Sequence, residues 1–368
     1  MTYSFRIINP TSSDWQRIES CADTTCFHSR EWADYTRRIG RKPFVVAVSE
    51  GNRHIGFFVG TKVWMGITMI CAPMDGIGTY SQGLCFLFPV SAEKRVAVYQ
   101  DLAYWIFRDH IASYLQVDDW ALRFDTGNQE WVPYEEVRIP ELDFARIPYT
   151  TRATLYLPMQ GKTEEELWAG LHYKSAKYSV NKANKLGLTV HHITEKSDIE
   201  RFTRIHFEQV TEVCARKGTV PKPSQQRERM QAVCEALFPN RILMLEVHGN
   251  DEDGQEQIMA TAIWTLDKGE CSFWTAASFQ RYMRYCPNEL MIWTAIKTMA
   301  AEGCGDLNFC GMADYKLKYG GHYAYIPHIV FSKYPWFTSL KDKAKQLYFA
   351  LRRYRQQKRG KHDFKQPN

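Results

Sequence analysis

The sequence lacks the signatures of several common enzyme chemistries. It contains no G-x-x-x-x-G-K-[ST] loop, and Gly76-Ile77-Gly78 is without the third glycine of a dinucleotide fingerprint. There is no G-x-S-x-G elbow and no H-E-x-x-H pair. Kinases, serine hydrolases and zincins are set aside on these grounds. No C-x-x-C pair occurs among the 10 cysteines. Cys21, Cys26 and His28 are irregularly spaced and show no evident fourth ligand, so no metal is expected. Reduced core thiols in a cytoplasmic protein are the simple expectation, with Cys71 and Cys85 in apolar strands. Met1–Arg6 has no basic region leading into an apolar run, so no secretory signal is expected. Long apolar runs are missing too. The most apolar stretch, Ile55 to Met74, carries Lys62 and is broken by Gly56, Gly60, Gly66 and Pro73. It reads as two buried strands, Ile55–Gly60 and Val63–Cys71, rather than a membrane span.

Net charge is also scarce. The formal value is +6, and ten of the 47 basic residues, with only two of the 41 acidic ones, fall in 338–368. That segment is strongly basic and the remaining chain is close to neutral. Leu340–Arg355 has a helical pattern with Leu340, Ala344, Leu347, Tyr348 and Leu351 on one side. Such a tail is either a solvated helix or a contact for an anionic membrane or RNA.

What is present is ordinary globular material: 368 residues, 45% apolar and 24% charged, enough for two domains. The aromatic share of 14% suggests ring-lined cores or grooves. The first half reads as a strand at 3–9 and a short helix at 14–20. A helix capped by Ser29 follows, with Trp32, Tyr35 and Ile39 on one face. Next come strands, a Gly-rich loop at 75–83, a helix over Ser91–Tyr114 and a strand at Ala121–Phe124. The second half repeats the plan. It has a strand at Ala153–Leu157, a long helix over Thr163–Leu186, helices at Ile199–Arg216 and Ser224–Leu237, and a meander of strands to Ala277. A helix at Asn288–Glu302 and strands at Gly305–Cys310 and Tyr323–Ser332 close it. The fold class expected is α/β (α+β), a duplicated architecture with a break near Thr150. The expected divisions are 1–150, 151–321, a strand within 322–337 returning to the first half, and a basic helical tail at 338–368.

Three segments could carry chemistry. In helix 163–186, Lys174, Lys177, Lys182 and Lys185 make a basic stripe, either a solvated face or an anion-binding one. In 306–321, an apolar strand ends at Gly311 and opens into a short turn bearing Asp314, Tyr315, Lys316, Lys318 and Tyr319. A strand end of this kind is a usual place for a site. In the strand after it, His322 and His328 share one face and Tyr323 and Tyr325 the other.

Phe27-His28-Ser29-Arg30-Glu31-Trp32, Lys177–Gly187 and Tyr315-Lys316-Leu317-Lys318-Tyr319-Gly320 lie in the order and spacing of three motifs of one family. With Cys286-Pro287 and Gly305-Asp306, they make residues 15–335 resemble the FemAB/FemX-like acyltransferases, tandem-GNAT proteins. Lys177 and Asn181 stand where the family has arginines, and Tyr315 and Tyr319 where it has phenylalanines. The resemblance implies two GNAT-like domains, each a mixed, largely antiparallel sheet flanked by helices, with an amine acceptor in or near the cleft between them. It implies acyl transfer, with Lys316 contacting the donor or the developing charge and Tyr315 and Asp314 beside it. Tyr319, Lys174, Lys177, Lys182, Arg281, Arg284 and Trp32 are the expected substrate or donor contacts. No cofactor is implied beyond the activated donor. Chemically this is coherent, since a fixed ammonium stabilises a tetrahedral oxyanion and positioning does much of the rest.

The donor separates two readings. The loop Arg281–Asn288 has no glycine for a close backbone approach to pyrophosphate. Arg281 and Arg284 would have to bind phosphate by side chain. An aminoacyl-tRNA or an unusual acyl donor is therefore favoured over standard acetyl-CoA, with acyl-CoA-dependent transfer to a small-molecule or cell-envelope polysaccharide amine as the alternative. The protein is expected in the cytoplasm or at the inner face of the membrane. A non-catalytic protein binding an anionic surface through its tail is the further alternative.

Overall fold

The computed structural model describes residues 2–21, 23–72, 83–222 and 225–337, and beyond them 339, 340, 343, 347, 350 and 351. The Gly-rich loop at 75–83 therefore lies outside the described residues apart from Gly83, and so does most of the basic tail. Leu340, Leu347 and Leu351 of that tail are helical and exposed.

The first half contains β1 (Tyr3–Ile8), α1 (Ser12–Glu19), α2 (Arg30–Arg38), β2 (Lys42–Glu50), β3 (Arg53–Trp64), β4 (Thr68–Ala72), β5 (Leu84–Phe86), α3 (Ala92–Arg108), β6 (Tyr114–Asp118), β7 (Phe124–Asp125), α4 (Pro140–Phe144) and β8 (Tyr149–Leu157). The second contains α5 (Glu164–Ala169), α6 (Tyr178–Lys185), β9 (Thr189–His192), α7 (Ile199–Arg216), α8 (Arg227–Leu237), β10 (Ile242–Asn250), β11 (Glu256–Thr265), β12 (Glu270–Ser278), α9 (Pro287–Ala301), β13 (Asp306–Asn308) and β14 (His322–Ser332). Local chemistry sets several starts. Thr11 and Asp14 form a capping box on α1, and Ser29 Oγ accepts from Trp32 N at 3.1 Å to open α2. Pro287 takes the first turn of α9, where its missing N–H leaves nothing unpaired.

Among the described residues all the strands join one sheet, ordered β1-β2-β3-β4-β6-β14-β8-β13-β12-β11-β10-β9, with β5 on β3 and β7 on β14. The order shows the duplication. In each half an antiparallel meander ends in a strand that pairs in parallel across a helix: β4 with β6 over α3, and β12 with β13 over α9. Each half then gives its last strand to the other. β8 leaves the first half and pairs antiparallel with β13 of the second, while β14 leaves the second and pairs antiparallel with β6 of the first. β8 and β14 pair with each other in the middle, from His322↔Tyr156 to Ile329↔Tyr149.

Two large apolar cores lie under the two halves, one around α3 and one around α9. A third ties the halves together. It packs Trp32 and Tyr35 of α2 against Met230, Val233 and Leu237 of α8, and Arg229 Nε donates to Tyr35 Oη at 3.1 Å.

Several local expectations need correction. The helix expected over 163–186 is two helices. α5 stops at Ala169, residues 173–177 form a π-helical turn, and α6 starts at Tyr178. The helix expected over Ser91–Tyr114 ends at Arg108, because Tyr114 opens β6, a central strand the apolar helical period concealed. Residues 120–122 form a 3₁₀ turn rather than a strand. The apolar stretch does split into two strands, but the turn comes at Met65–Ile67 around Gly66 (φ 77°), not near residue 61. β8 starts at Tyr149, so the expected break at Thr150 falls inside a strand. No helix among the described residues is long and apolar enough to cross a membrane, and no group of His, Cys, Asp and Glu among them is arranged to hold a metal ion.

Candidate active site

β12 and β13 pair over only three rungs, Glu270↔Asp306 to Ser272↔Asn308. Beyond Asn308 the chain turns toward β8, where Phe309 N donates to Leu155 O at 2.8 Å. An opening results between β12 and the end of β13. Lys316 fills it. Its ammonium donates to the Phe309 carbonyl at 2.5 Å and lies 4.6 Å from the centre of the Phe273 ring. Those two residues are the first beyond the last rung on each side.

Lys316 is only 6% exposed, and burial lowers its pKa. No carboxylate neutralises it among the described residues, and the Phe309 carbonyl takes one of its three N–H donors. A desolvated ammonium with donors in reserve is suited to stabilising negative charge that appears only during a reaction.

The turn carrying Lys316 (Asp314–Tyr319) is held from three directions. On α9, Glu289 Oε1 accepts from Lys318 Nζ at 2.7 Å. From the irregular segment after β7, Gln129 Nε2 donates to Leu317 O at 3.0 Å and Gly321 O at 2.9 Å. From the break between α5 and α6, His172 N donates to Lys318 O at 2.8 Å, and Gly320 (φ 87°) sits so close to Gly170 that a Cβ would lie 3.0 Å from its carbonyl. The helix break thus has a structural purpose: a continuous helix would bury the His172 N–H in its own ladder. Lys177 Nζ closes the break by donating to Ala169 O at 3.1 Å. Inside the turn, Tyr319 is buried with its ring stacked on Phe309 at 6.1 Å.

A polar network lies behind this opening, and sequence reasoning did not include it. Glu270 is fully buried. Its Oε1 accepts from Asn308 Nδ2 at 2.8 Å and Ser272 Oγ at 3.0 Å, and its Oε2 has no partner. Burial pushes its carboxyl up to about 8, so it is largely neutral at pH 7. Asn308 Oδ1 accepts from Cys310 N at 2.8 Å and Thr154 Oγ1 at 2.6 Å, and Thr154 Oγ1 accepts from Gly311 N at 3.1 Å. The one sequence hint was that Glu270 and Ser272 share a face of an otherwise apolar strand. An acid at the first residue of a strand reads as surface.

The structure sorts the expected residues. Lys316, Tyr319 and Tyr315 come together on one turn, although Tyr315 faces outward, 52% exposed, while Tyr319 is buried. The two tyrosines do not share a face, because the turn is 3₁₀ rather than α. Asp314 is exposed at the start of the turn, with Tyr323 in its field. Asp306 is committed to structure: Oδ1 takes Met159 N at 2.7 Å and Gln160 N at 3.1 Å, and Oδ2 takes the Tyr156 hydroxyl. His322 and His328 are paired to Asp125 at 2.7 Å and Asp118 at 2.5 Å. Trp32 is a core residue, 5% exposed, and does not reach this site. Arg284 is bound to Glu252 and Arg281 lies over the Phe279 and Tyr282 rings, in a hollow also lined by Asp251 and Asp253. Three carboxylates there oppose phosphate binding. Lys174 is exposed and Lys182 half-buried on the α6 side, flanked by the exposed rings of Tyr173 and Tyr178.

Residues 172–325 match the family described as acetyltransferase (GNAT) domain. This stretch, less than half of the 368 residues, is thus similar to GNAT acetyltransferase domains. The match runs from the helix break to β14 and so includes Lys316, Glu270 and Asn308, but not Thr154 on β8. No curated protein matches the sequence. Among solved structures, FemX superposes with a TM-score of 0.62 at 12% identity, over 88% of this chain and 97% of FemX. A conserved protein of unknown function from Bacteroides thetaiotaomicron VPI-5482 gives 0.51 at 10% identity, over 89% and 100%. At these identities the likeness is one of fold, and it covers both halves of the chain. The fold class is the one expected, two similar halves that share a mixed, largely antiparallel sheet flanked by helices.

Proposed function

We propose that the protein moves an activated aminoacyl or acyl group onto an amine, forming an amide, with Lys316 stabilising the oxyanion. The observation that carries this reading is the buried Lys316 ammonium in the opening between β12 and β13, bonded to the Phe309 carbonyl at 2.5 Å. The neutral amine attacks the activated carbonyl and forms the C–N bond while negative charge gathers on the carbonyl oxygen; collapse then breaks the bond to the leaving oxygen or sulfur, which takes up the proton that the nitrogen loses. Preorganised charge in a dry site is worth far more here than the same charge in water.

For the donor we favour aminoacyl-tRNA. Arg281 and Arg284 are occupied, which weakens the side-chain route to a CoA pyrophosphate. The α6 side offers exposed Lys174 with Tyr173 and Tyr178, cations interleaved with rings on which bases stack. Acyl-CoA as donor is the competing reading.

A mass-spectrometric panel of acyl-CoAs and charged tRNAs, each offered with candidate amines, tests both. Lys316→Ala in the active pair is expected to lower kcat/KM by about 100-fold or more. Unchanged kcat/KM would remove Lys316 from the chemistry. CoA binding with no use of charged tRNA would select the competing donor.

A further inference from the structure

The end of β13 bends sharply. Cys310 has φ 53° and Gly311 φ 131°, and a non-glycine residue in the left-handed region is disfavoured by roughly 1–2 kcal/mol. The bend needs support, and all of it is polar. Asn308 Oδ1 holds Cys310 N, Thr154 Oγ1 holds Gly311 N, and the Thr154 hydroxyl donates back to Asn308 Oδ1. Asn308 in turn is fixed by its amide bond to Glu270 Oε1, which Ser272 also shares. The chain of bonds crosses three strands, β8, β13 and β12. Its output is the direction of the Phe309 carbonyl, the group that takes the Lys316 ammonium.

We propose that Glu270, Asn308 and Thr154 are positioning residues for acyl transfer: they lock the Cys310–Gly311 bend and thereby hold the Lys316 ammonium in the opening. This rests on the role given to Lys316 above. None of the three touches Lys316; each acts through the backbone it fixes. Thr154 is the most informative member because it comes from the strand that the first half lends to the second. The site in one half is therefore set by a hydroxyl from the other.

The test separates the lock from the chemistry. In the full chain without substrate, Lys316 is labelled with acetic anhydride and its rate is compared by mass spectrometry with that of exposed Lys174. Thr154→Val keeps the shape and removes the hydroxyl, and Lys316 labelling is expected to rise several-fold. Thr154→Ser is expected to restore the original rate. In the donor–acceptor pair found by the panel, Thr154→Val should lower kcat by about ten- to a hundredfold with KM for the donor little changed. Asn308→Leu serves as the second variant should Thr154→Val fail to fold, with the same direction expected. Unchanged Lys316 labelling in a folded variant overturns the proposal. Raised labelling with unchanged kcat shows that the lock exists but overturns its role in the reaction, and that result would also count against Lys316 as the oxyanion group.

Discussion

Glu270 shows how one buried group couples the site to stability. Its carboxyl is held at about 8 against an ordinary value of 4.5, because burial penalises the charged form more than Asn308 and Ser272 favour it. Arg123, Asp267 and Cys310 also act on it through space or are acted on by it. The sign follows from proton counting. Between about 4.5 and 8 the folded chain keeps a proton that the unfolded chain has released. Folding stability should therefore fall as pH rises through that window and level off above it. Glu270→Gln keeps an acceptor oxygen and cannot ionise, so its melting temperature should be flatter over the same range. Thermal melts of both proteins from about pH 5 to pH 9 check this. Parallel curves would mean that Glu270 is not neutral in the fold.

At the scale of elements, the break between α5 and α6 and the turn that follows β13 form one unit. Gly320 ends that turn in the left-handed region at φ 87°, with the Gly170 carbonyl 3.0 Å from where a Cβ would stand. Gly320→Ala should destabilise the protein by about 1–2 kcal/mol from backbone strain alone. Displacing Gly170 should also shift the turn and reduce turnover. A melting curve and a kcat measurement on the same variant check both. An unchanged melting temperature would show that the break and the turn are not packed as described.

The legibility of the sequence also divides at this scale. α2 stood out by its apolar face and its Ser29 cap, α7 by its apolar stripe, and α9 by the proline at its start. Lys316 stood out because its motif is local. The helix break was passed over although Gly170 is a local stop signal, since Lys174 and Lys177 within the break continue the helical spacing of Lys182 and Lys185 in α6. β6 was hidden for the same reason, its apolar residues continuing the period of α3. Glu270, Asn308 and Thr154 were illegible because they are brought together by strand pairing, and register across distant strands leaves no trace in the spacing of one segment. The pairing of Arg284 with Glu252 was not legible either, because Glu252 sits on a hairpin 32 positions earlier.

For the whole molecule the exchange of β8 and β14 matters most. Each half lacks its closing strand without the other, which would leave a long sheet edge unpaired. The core shared by α2 and α8 adds an apolar seam. Unfolding in urea is therefore expected to be one cooperative transition, with tryptophan fluorescence and far-UV circular dichroism superimposing. Two separated transitions would show that the halves are independent despite the exchange. The near-neutral charge of this body agrees with cohesion by burial and strand pairing rather than by long-range electrostatics.

The same exchange fixes when activity can arise during synthesis. The first half's sheet is complete only when β14 has been made, and β14 follows directly on the turn bearing Lys316. A ribosome-bound chain shorter than residue 332 has an open edge at β6, and its β8 has yet to meet its main partner. Assembly of the opening that holds Lys316 and closure of the fold are thus one late co-translational event. Nascent chains should remain inactive, with an edge exposed for chaperones, until that strand emerges.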